Sequence, residues 1–316
     1  MIPVGTGTLG WERFPACELP PQGVTLLPAG GDMAENLGEC KADGAGRERW
    51  WVMEHVDRWI NHDGMSDPAG HSAAIAGLPP DIAALNAVVQ GVLVHSDWLS
   101  EYGLDATRLA GVSRATLPVT DRLDDILNRD GQALHIQRPP DRRAIGTCRD
   151  FALLLCSFLR DKGVPCRVRC GFAAYFSGGW EDHWVCEYWD RTTRTWHLSD
   201  PQIDGLLKAR LRIGFDPTDV PRQCFVTAGQ AWLDCRGGGA DPGRFGHGAV
   251  TGLWFIKVNV IRDHHVLNGR VTSAWDGWRD APPSQRLVGQ HDHPLLDDLA
   301  TRPEQALIEI IPDWLA

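Results

Sequence analysis

A chain of 316 residues with 43% apolar and 23% charged side chains has the composition of a folded globular protein, which excludes disorder along its whole length. Its formal net charge of −10, with no long Lys/Arg run to oppose it, argues against nucleic acid as a partner. No apolar run approaches the roughly 18 residues of a membrane span, and the opening Met1-Ile2-Pro3-Val4-Gly5 has no basic stretch followed by an apolar one, so neither a membrane anchor nor a signal peptide is predicted.

The nine cysteines are an odd number, so they do not all pair within one chain. Together with the lack of an export signal this predicts reduced thiols, most of them small buried hydrophobes, in a cytoplasmic protein.

Residues 1–46 are rich in Gly and Pro without a sustained period, and read as an irregular N-terminal arm. Regular structure is predicted from Glu48, where Val52, Val56, Trp59 and Ile60 have helical spacing. A loop follows to about Pro80. Ile82, Leu85, Val89, Val92 and Leu93 then mark a long amphipathic helix fading near Gly103, and Leu123, Ile126 and Leu127 mark another between Val119 and Arg129.

The stretch 139–200 carries the most information. After Pro139-Pro140, the residues Phe151, Leu154, Leu155, Phe158 and Leu159 repeat at the helical period with one apolar face. Gly163 and Pro165 stop that helix. Thr147 and Asp150 form a capping box at its start, which makes Cys148 its first residue. Cys166, Val168, Cys170, Phe172 and Ala174 alternate as a strand. His183–Trp189 and Thr195–Asp200 read as two more, joined by the polar turn 190–194. A helix is predicted over Ile203–Ile213, and Leu253–Ile261 reads as a strand. The expectation is one α+β domain over 47–316 with its core at about 139–215, helical elements before the core and a mixed region after it.

This layout suits nucleophilic chemistry. A thiol attacks as the thiolate, a form favoured at helix N-termini and beside an imidazolium. Unpaired backbone N–H groups and the positive end of the helix dipole face the sulfur of Cys148, and the same N–H groups suit an oxyanion. His183, on a strand packed against that helix, is the candidate base, at the roughly 3–4 Å such a pair needs. Asp200 is the candidate orienting group, placed at the same end of the hairpin as His183 if the two strands begin and end together.

Four segments in this order, Gly146-Thr147-Cys148-Arg149-Asp150-Phe151-Ala152, Gly163-Val164-Pro165-Cys166-Arg167, Asp182-His183-Trp184-Val185 and Trp196-His197-Leu198-Ser199-Asp200-Pro201, resemble the transglutaminase-like domain. The resemblance is close over about 65 residues, and the remainder from Glu48 is similar to a bacterial branch of that superfamily. It implies a papain-like core, a helix packed on an antiparallel sheet. It also implies an acyl-enzyme mechanism with Cys148 as nucleophile, His183 as base and Asp200 as orienter, and no cofactor. Three positions depart from the family pattern. Cys166 stands where Ala is usual, Gln202 where Thr is usual, and Trp184 follows His183 directly.

Other residues carry competing readings. Trp180 and Trp184 flank His183 and either fill the core or line an acyl or amide substrate cleft. Cys166, Cys170 and Cys186 invite a metal reading, but no second ligand pair accompanies them, so a packed core strand and no metal are expected. Arg149 reads as a solvated helix residue. His264-His265 and His291 and His293 read as surface histidines. Trp275, Asp276 and Trp278 read as a cover over the site mouth or as tail docking. The expected activity is thiol-dependent acyl transfer or hydrolysis at a carboxamide or peptide amide, with a small-molecule or peptide substrate. The alternative is a non-catalytic binding module that keeps the cleft.

Overall fold

The computed structural model describes residues 56–113, 115, 118–176, 178–270, 284 and 286–304. The N-terminal arm, the start of the helix expected from Glu48, the Trp275–Trp278 cluster and the apolar end at 307–314 lie outside these residues.

The N-terminal part is helical. A short helix α1 (Ser72–Ala76) sits within the expected loop, and α2 (Ile82–Val92) follows, its first turn capped by Asp81, whose carboxylate accepts from the Ala84 N–H at 2.8 Å. The long helix expected to Gly103 stops at Val92. Leu93–His95 instead form a strand, β1, paired in parallel with β2 (Ala144–Gly146). Apolar spacing continues through this break, so periodicity alone cannot show it. The pairing brings the chain after β1 to within two residues of Cys148, since the Ser96 N–H donates to Gly146 O at 2.9 Å. Helix α3 (Val119–Arg129) has the predicted bounds.

Helix α4 (Cys148–Asp161) is the centre of the core. It was expected to bury one face, but every residue from Arg149 to Arg160 is buried. Phe151, Leu154, Leu155 and Phe158 pack with α2, α3, β3 and β4 in the main apolar cluster. Truncating a side chain as large and sealed as Phe158 to Ala costs about 3–5 kcal/mol. The helix ends as expected: Gly163 takes φ 71° and the Val164 N–H returns to Leu159 O at 2.9 Å, a C-cap that favours glycine.

The sheet is built on β3 (Cys166–Ala173) and β4 (Trp180–Asp190), antiparallel along their length. On the far edge of β4, β5 (Thr195–Ser199) pairs only with Cys186–Asp190. The parallel strand β7 (Phe245–His247) pairs only with Trp180 and Glu181. Among the described residues, positions 182–185 therefore have no strand partner on that edge, and His183 lies in the gap. Helix α5 (Gly205–Arg210) and β6 (Phe225–Thr227) follow β5. β6 pairs with β3, and β8 (Val250–Thr251) closes the other end of the sheet against β7.

The C-terminal part is a second apolar cluster, formed by α6 (Ala228–Arg236), α7 (Leu253–Leu267) and α8 (His293–Thr301) against Phe172. The strand expected at 253–261 is part of α7. Its residues are apolar at odd and even positions alike, so neither period stands out. A helix surrounded on all sides has that pattern. Among the described residues no helix is long and apolar enough to cross a membrane.

Candidate active site

The N-terminus of α4 is fixed from within the motif. The Asp150 carboxylate accepts from the Thr147 backbone N–H at 2.7 Å and from its hydroxyl at 3.0 Å. The same side chain is ion-paired with buried Arg122 at 2.6 Å, and Arg122 also donates to Ile145 O at 3.0 Å. A side chain at Gly146 would crowd this cap, since a Cβ there meets Asp150 Cβ at 3.0 Å. In the sealed run 144–160, Cys148 alone is half-buried and all the others are buried. The helix thus offers one accessible atom group at the end where its backbone N–H groups are free.

His183 is 2% exposed and Asp200 is 0% exposed. His183 Nε2 lies 2.8 Å from Asp200 Oδ2, and the Cys148 side chain is the other neighbour that favours the charged imidazole. Burial by itself disfavours the imidazolium. The Asp200 carboxylate and the Cys148 sulfur overcome it, and the His183 pKa is pushed up to about 10. The structure therefore pairs His183 with Asp200 and sets Cys148 close enough to His183 to act on its charge.

The route to that convergence differs from the expected one. The two strands do not begin and end together. β5 stops opposite Cys186, and Asp200 leaves the ladder there, its N–H turning to Pro217 O at 2.8 Å. It enters the open edge of β4 diagonally to His183. Its other oxygen, Oδ1, accepts the Gln202 N–H at 3.0 Å.

Sequence reasoning missed Tyr175. Its hydroxyl donates to Asp200 Oδ2 at 2.7 Å, the same oxygen that holds His183. Burial and the neighbouring Asp200 carboxylate hold the phenol well above its ordinary pKa, so it stays a donor. The Tyr175 ring meets the imidazole edge-on at 5.9 Å, and Phe176 does so at 4.8 Å. These residues follow the end of β3 in an irregular loop, where no periodicity exposes them. The available signal was a hydroxyl-bearing aromatic just before the Gly178-Gly179 turn into the His183 strand.

The two candidate substrate tryptophans differ. Trp180 is half-buried, three residues before His183, and stacks on Phe245 at 5.6 Å and 7°. Trp184 is 0% exposed within the main core and presents no surface to a substrate in this conformation. Its ring takes the guanidinium of Arg149, whose Cζ lies 4.9 Å from the centroid. Arg149, expected in solvent, is itself 0% exposed, because a planar guanidinium packs on an indole face. His264 and His265 are also buried, at 2% and 1%, not on the surface. They lie on the enclosed helix α7, and burial first, then His264 and Arg270, lower the His265 pKa to about 4. His291 is exposed as expected, with a side chain 87% accessible, and His293 packs on Trp232 at 5.7 Å.

A half-buried thiol, a charged imidazole and a buried carboxylate in this order are groups that thiol-dependent catalysis can use. Comparison with known proteins gives the following. Residues 113–201 match the model of the transglutaminase-like superfamily, a span that includes Cys148, His183 and Asp200. A solved structure described as "a Putative Cysteine Protease from Cytophaga hutchinsonii" is similar at 13% identity and a TM-score of 0.32, over 47% of this chain and 42% of that one. No curated protein matches the chain. The segment 113–201, which contains the helix-on-sheet α+β core, is thus the part of this chain similar to the transglutaminase-like superfamily.

Proposed function

We propose that this protein is a cysteine acyltransferase or amidohydrolase acting on a carboxamide or peptide amide through an acyl-enzyme on Cys148. The observation that carries this reading is the buried His183–Asp200 pair beside Cys148, the one half-buried residue of the run 144–160.

The thiolate of Cys148 attacks the amide carbon, and the oxygen that becomes anionic faces the N–H groups of the α4 start. His183 carries a proton at neutral pH. Delivered to the departing nitrogen, that proton lets the C–N bond break, leaving a thioester on Cys148 and a neutral amine. Water or a second amine then attacks the thioester while His183 takes up the attacking group's proton, and Cys148 leaves as thiolate, which restores the starting thiolate and imidazolium. Water yields a carboxylic acid; an amine yields a new amide. Which of them enters depends on how far the closed site excludes water. The substrate class we favour is a small-molecule or peptide amide.

Limiting iodoacetamide, applied between pH 5 and 9 with mass-spectrometric mapping of the sites, tests this. Cys148 is expected to react first and already below pH 7, and His183→Ala is expected to move its profile to higher pH. Cys235 serves as internal comparison, since it is also half-buried and its pKa is raised to about 11 by burial and by Asp234 and Asp241. If Cys148 reacts no faster than Cys235, the protein is a binding module with a transglutaminase-like cleft. Where Cys148 does react first, weighing the adduct trapped from an amide substrate identifies the acyl group.

A further inference from the structure

Three other sulfurs converge away from this site. Cys156 on α4, Cys166 on β3 and Cys186 on β4 are each 0% exposed, and their sulfurs lie within 4.8 Å of one another. Cys156 Sγ and Cys166 Sγ are 3.3 Å apart, and Cys166 Sγ is 3.1 Å from Cys156 O. Sequence spacing pointed to a different trio, with Cys170 in place of Cys156. Cys170 does not join the group. The helix contributes the sulfur that spacing along the strands could not reveal.

We propose that Cys156, Cys166 and Cys186 form a three-sulfur site for a soft, thiophilic cation, and that copper(I) is the ion it fits. Each sulfur comes from a different element of the main core, so packing of α4 on β3 and β4 sets the triangle before an ion binds. Sulfur ligands select soft ions, copper(I) and zinc(II) among them. Zinc in structural sites takes four protein ligands, and in catalytic sites it keeps a water-filled position. Among the described residues no fourth Cys, His, Asp or Glu joins the group, and the zero exposure of all three leaves no wet position. Copper(I) accepts three sulfurs. The guanidinium of Arg160 lies alongside, its Nη2 and Nε donating to Cys166 O at 3.1 and 3.3 Å. Its charge is shared with Asp63, ion-paired to Nη1 at 2.9 Å, and what remains offsets part of the negative charge of the ligating sulfurs. Ligation releases the thiol protons to solvent and leaves the copper monovalent. Because the sulfurs are sealed, the ion enters during folding or local opening.

The test uses the full reduced chain, refolded with copper(I) alone and challenged with a copper(I) chelator before native mass spectrometry. One copper retained per chain is expected, with a raised Tm, and no zinc retained in a parallel zinc(II) arm. Cys156→Ala and Cys186→Ala are expected to lose the copper, while Cys148→Ala and Cys235→Ala keep it, circular dichroism confirming that each variant folds. A measurement on the unmodified chain guards against unfolded variants. In mild denaturant, copper should protect Cys156, Cys166 and Cys186 from alkylation together, but not the equally buried Cys170. No retained copper, folded variants that still hold it, or equal protection of Cys170 would show that the three thiols only pack the core. Retention of zinc in place of copper overturns the three-coordinate assignment.

Discussion

His183 and Glu187 stand four residues apart on β4, are 2% and 1% exposed, and are each held by opposite charge, yet the two arrangements permit different chemistry. Glu187 is enclosed by guanidinium groups: Arg167 and Arg169 at 2.8 Å and Arg222 at 2.7 Å. Arg169 continues to Asp263 on α7 at 2.7 Å. Burial opposes the Glu187 charge, but the three arginines overcome it and hold the carboxyl well below the usual carboxylate range. Arginine does not give up its proton in proteins, so this cluster has one protonation state and serves to bind strands to helix. Around His183 the same contest between burial and countercharge is settled with groups that can exchange a proton, a thiol and an imidazole. One strand thus carries an immobile charge lock and an imidazole whose partners can exchange a proton with it, and the difference lies in the partners rather than in depth.

The largest effect should come from removing the countercharge at the exchanging end. Asp200→Asn leaves only the Cys148 sulfur to oppose burial, so the His183 pKa should fall well below 10 in an NMR titration, and kcat should drop by about 10³-fold or more. Glu187→Gln should do the reverse: a loss of about 3–5 kcal/mol in urea unfolding, as buried arginines lose their partner, with no change in the alkylation rate of Cys148. If that rate falls too, the two networks are coupled and the contrast drawn above is wrong. Tyr175→Phe keeps the ring but removes one hydrogen bond to a buried carboxylate. A loss of about 10-fold in kcat is expected, with no further loss when Asp200 is already Asn.

The smallest effect concerns stability against pH. Glu187, with a lowered pKa, contributes stability that is present above its unfolded pKa of about 4.3 and lost as pH falls through the folded value. His183, raised to about 10, contributes stability that is full below its unfolded value of about 6.5 and lost as pH rises through 10. Melting temperatures across pH should therefore flatten on the acid side in Glu187→Gln and on the alkaline side in Asp200→Asn. A variant that flattens both sides would break the distinction.

The parts of this fold legible in the sequence were those that local rules control. Thr147, Asp150, Gly163 and the apolar period between them define α4 almost residue by residue, and with it the position of Cys148. His183 and Asp200 were legible through motif and order. What escaped depended on neighbours distant in sequence. Nothing local marks Leu93–His95 as the partner of Ala144–Gly146, or Trp184 as the surface on which Arg149 packs. The all-round apolar run of α7 has no period to read, and Tyr175 lies in an irregular loop. Cys156 looked like one more residue of an apolar helix until two strands placed sulfurs against it.

The short reach of β5 has a further consequence. The hairpin tip at 191–194 is exposed and lies at the pole opposite Asp200. Five paired positions separate the two, from Asp190↔Thr195 to Cys186↔Ser199, or about 17 Å of strand. Extra residues at the tip can bulge outward with the ladder unchanged. One extra residue within Thr195–Ser199 would turn the strand's faces over and carry Asp200 away from His183. The molecule thus has a natural graft point, where a fluorophore, an affinity peptide or a whole guest domain can be spliced into the chain while the reactive end keeps its alignment.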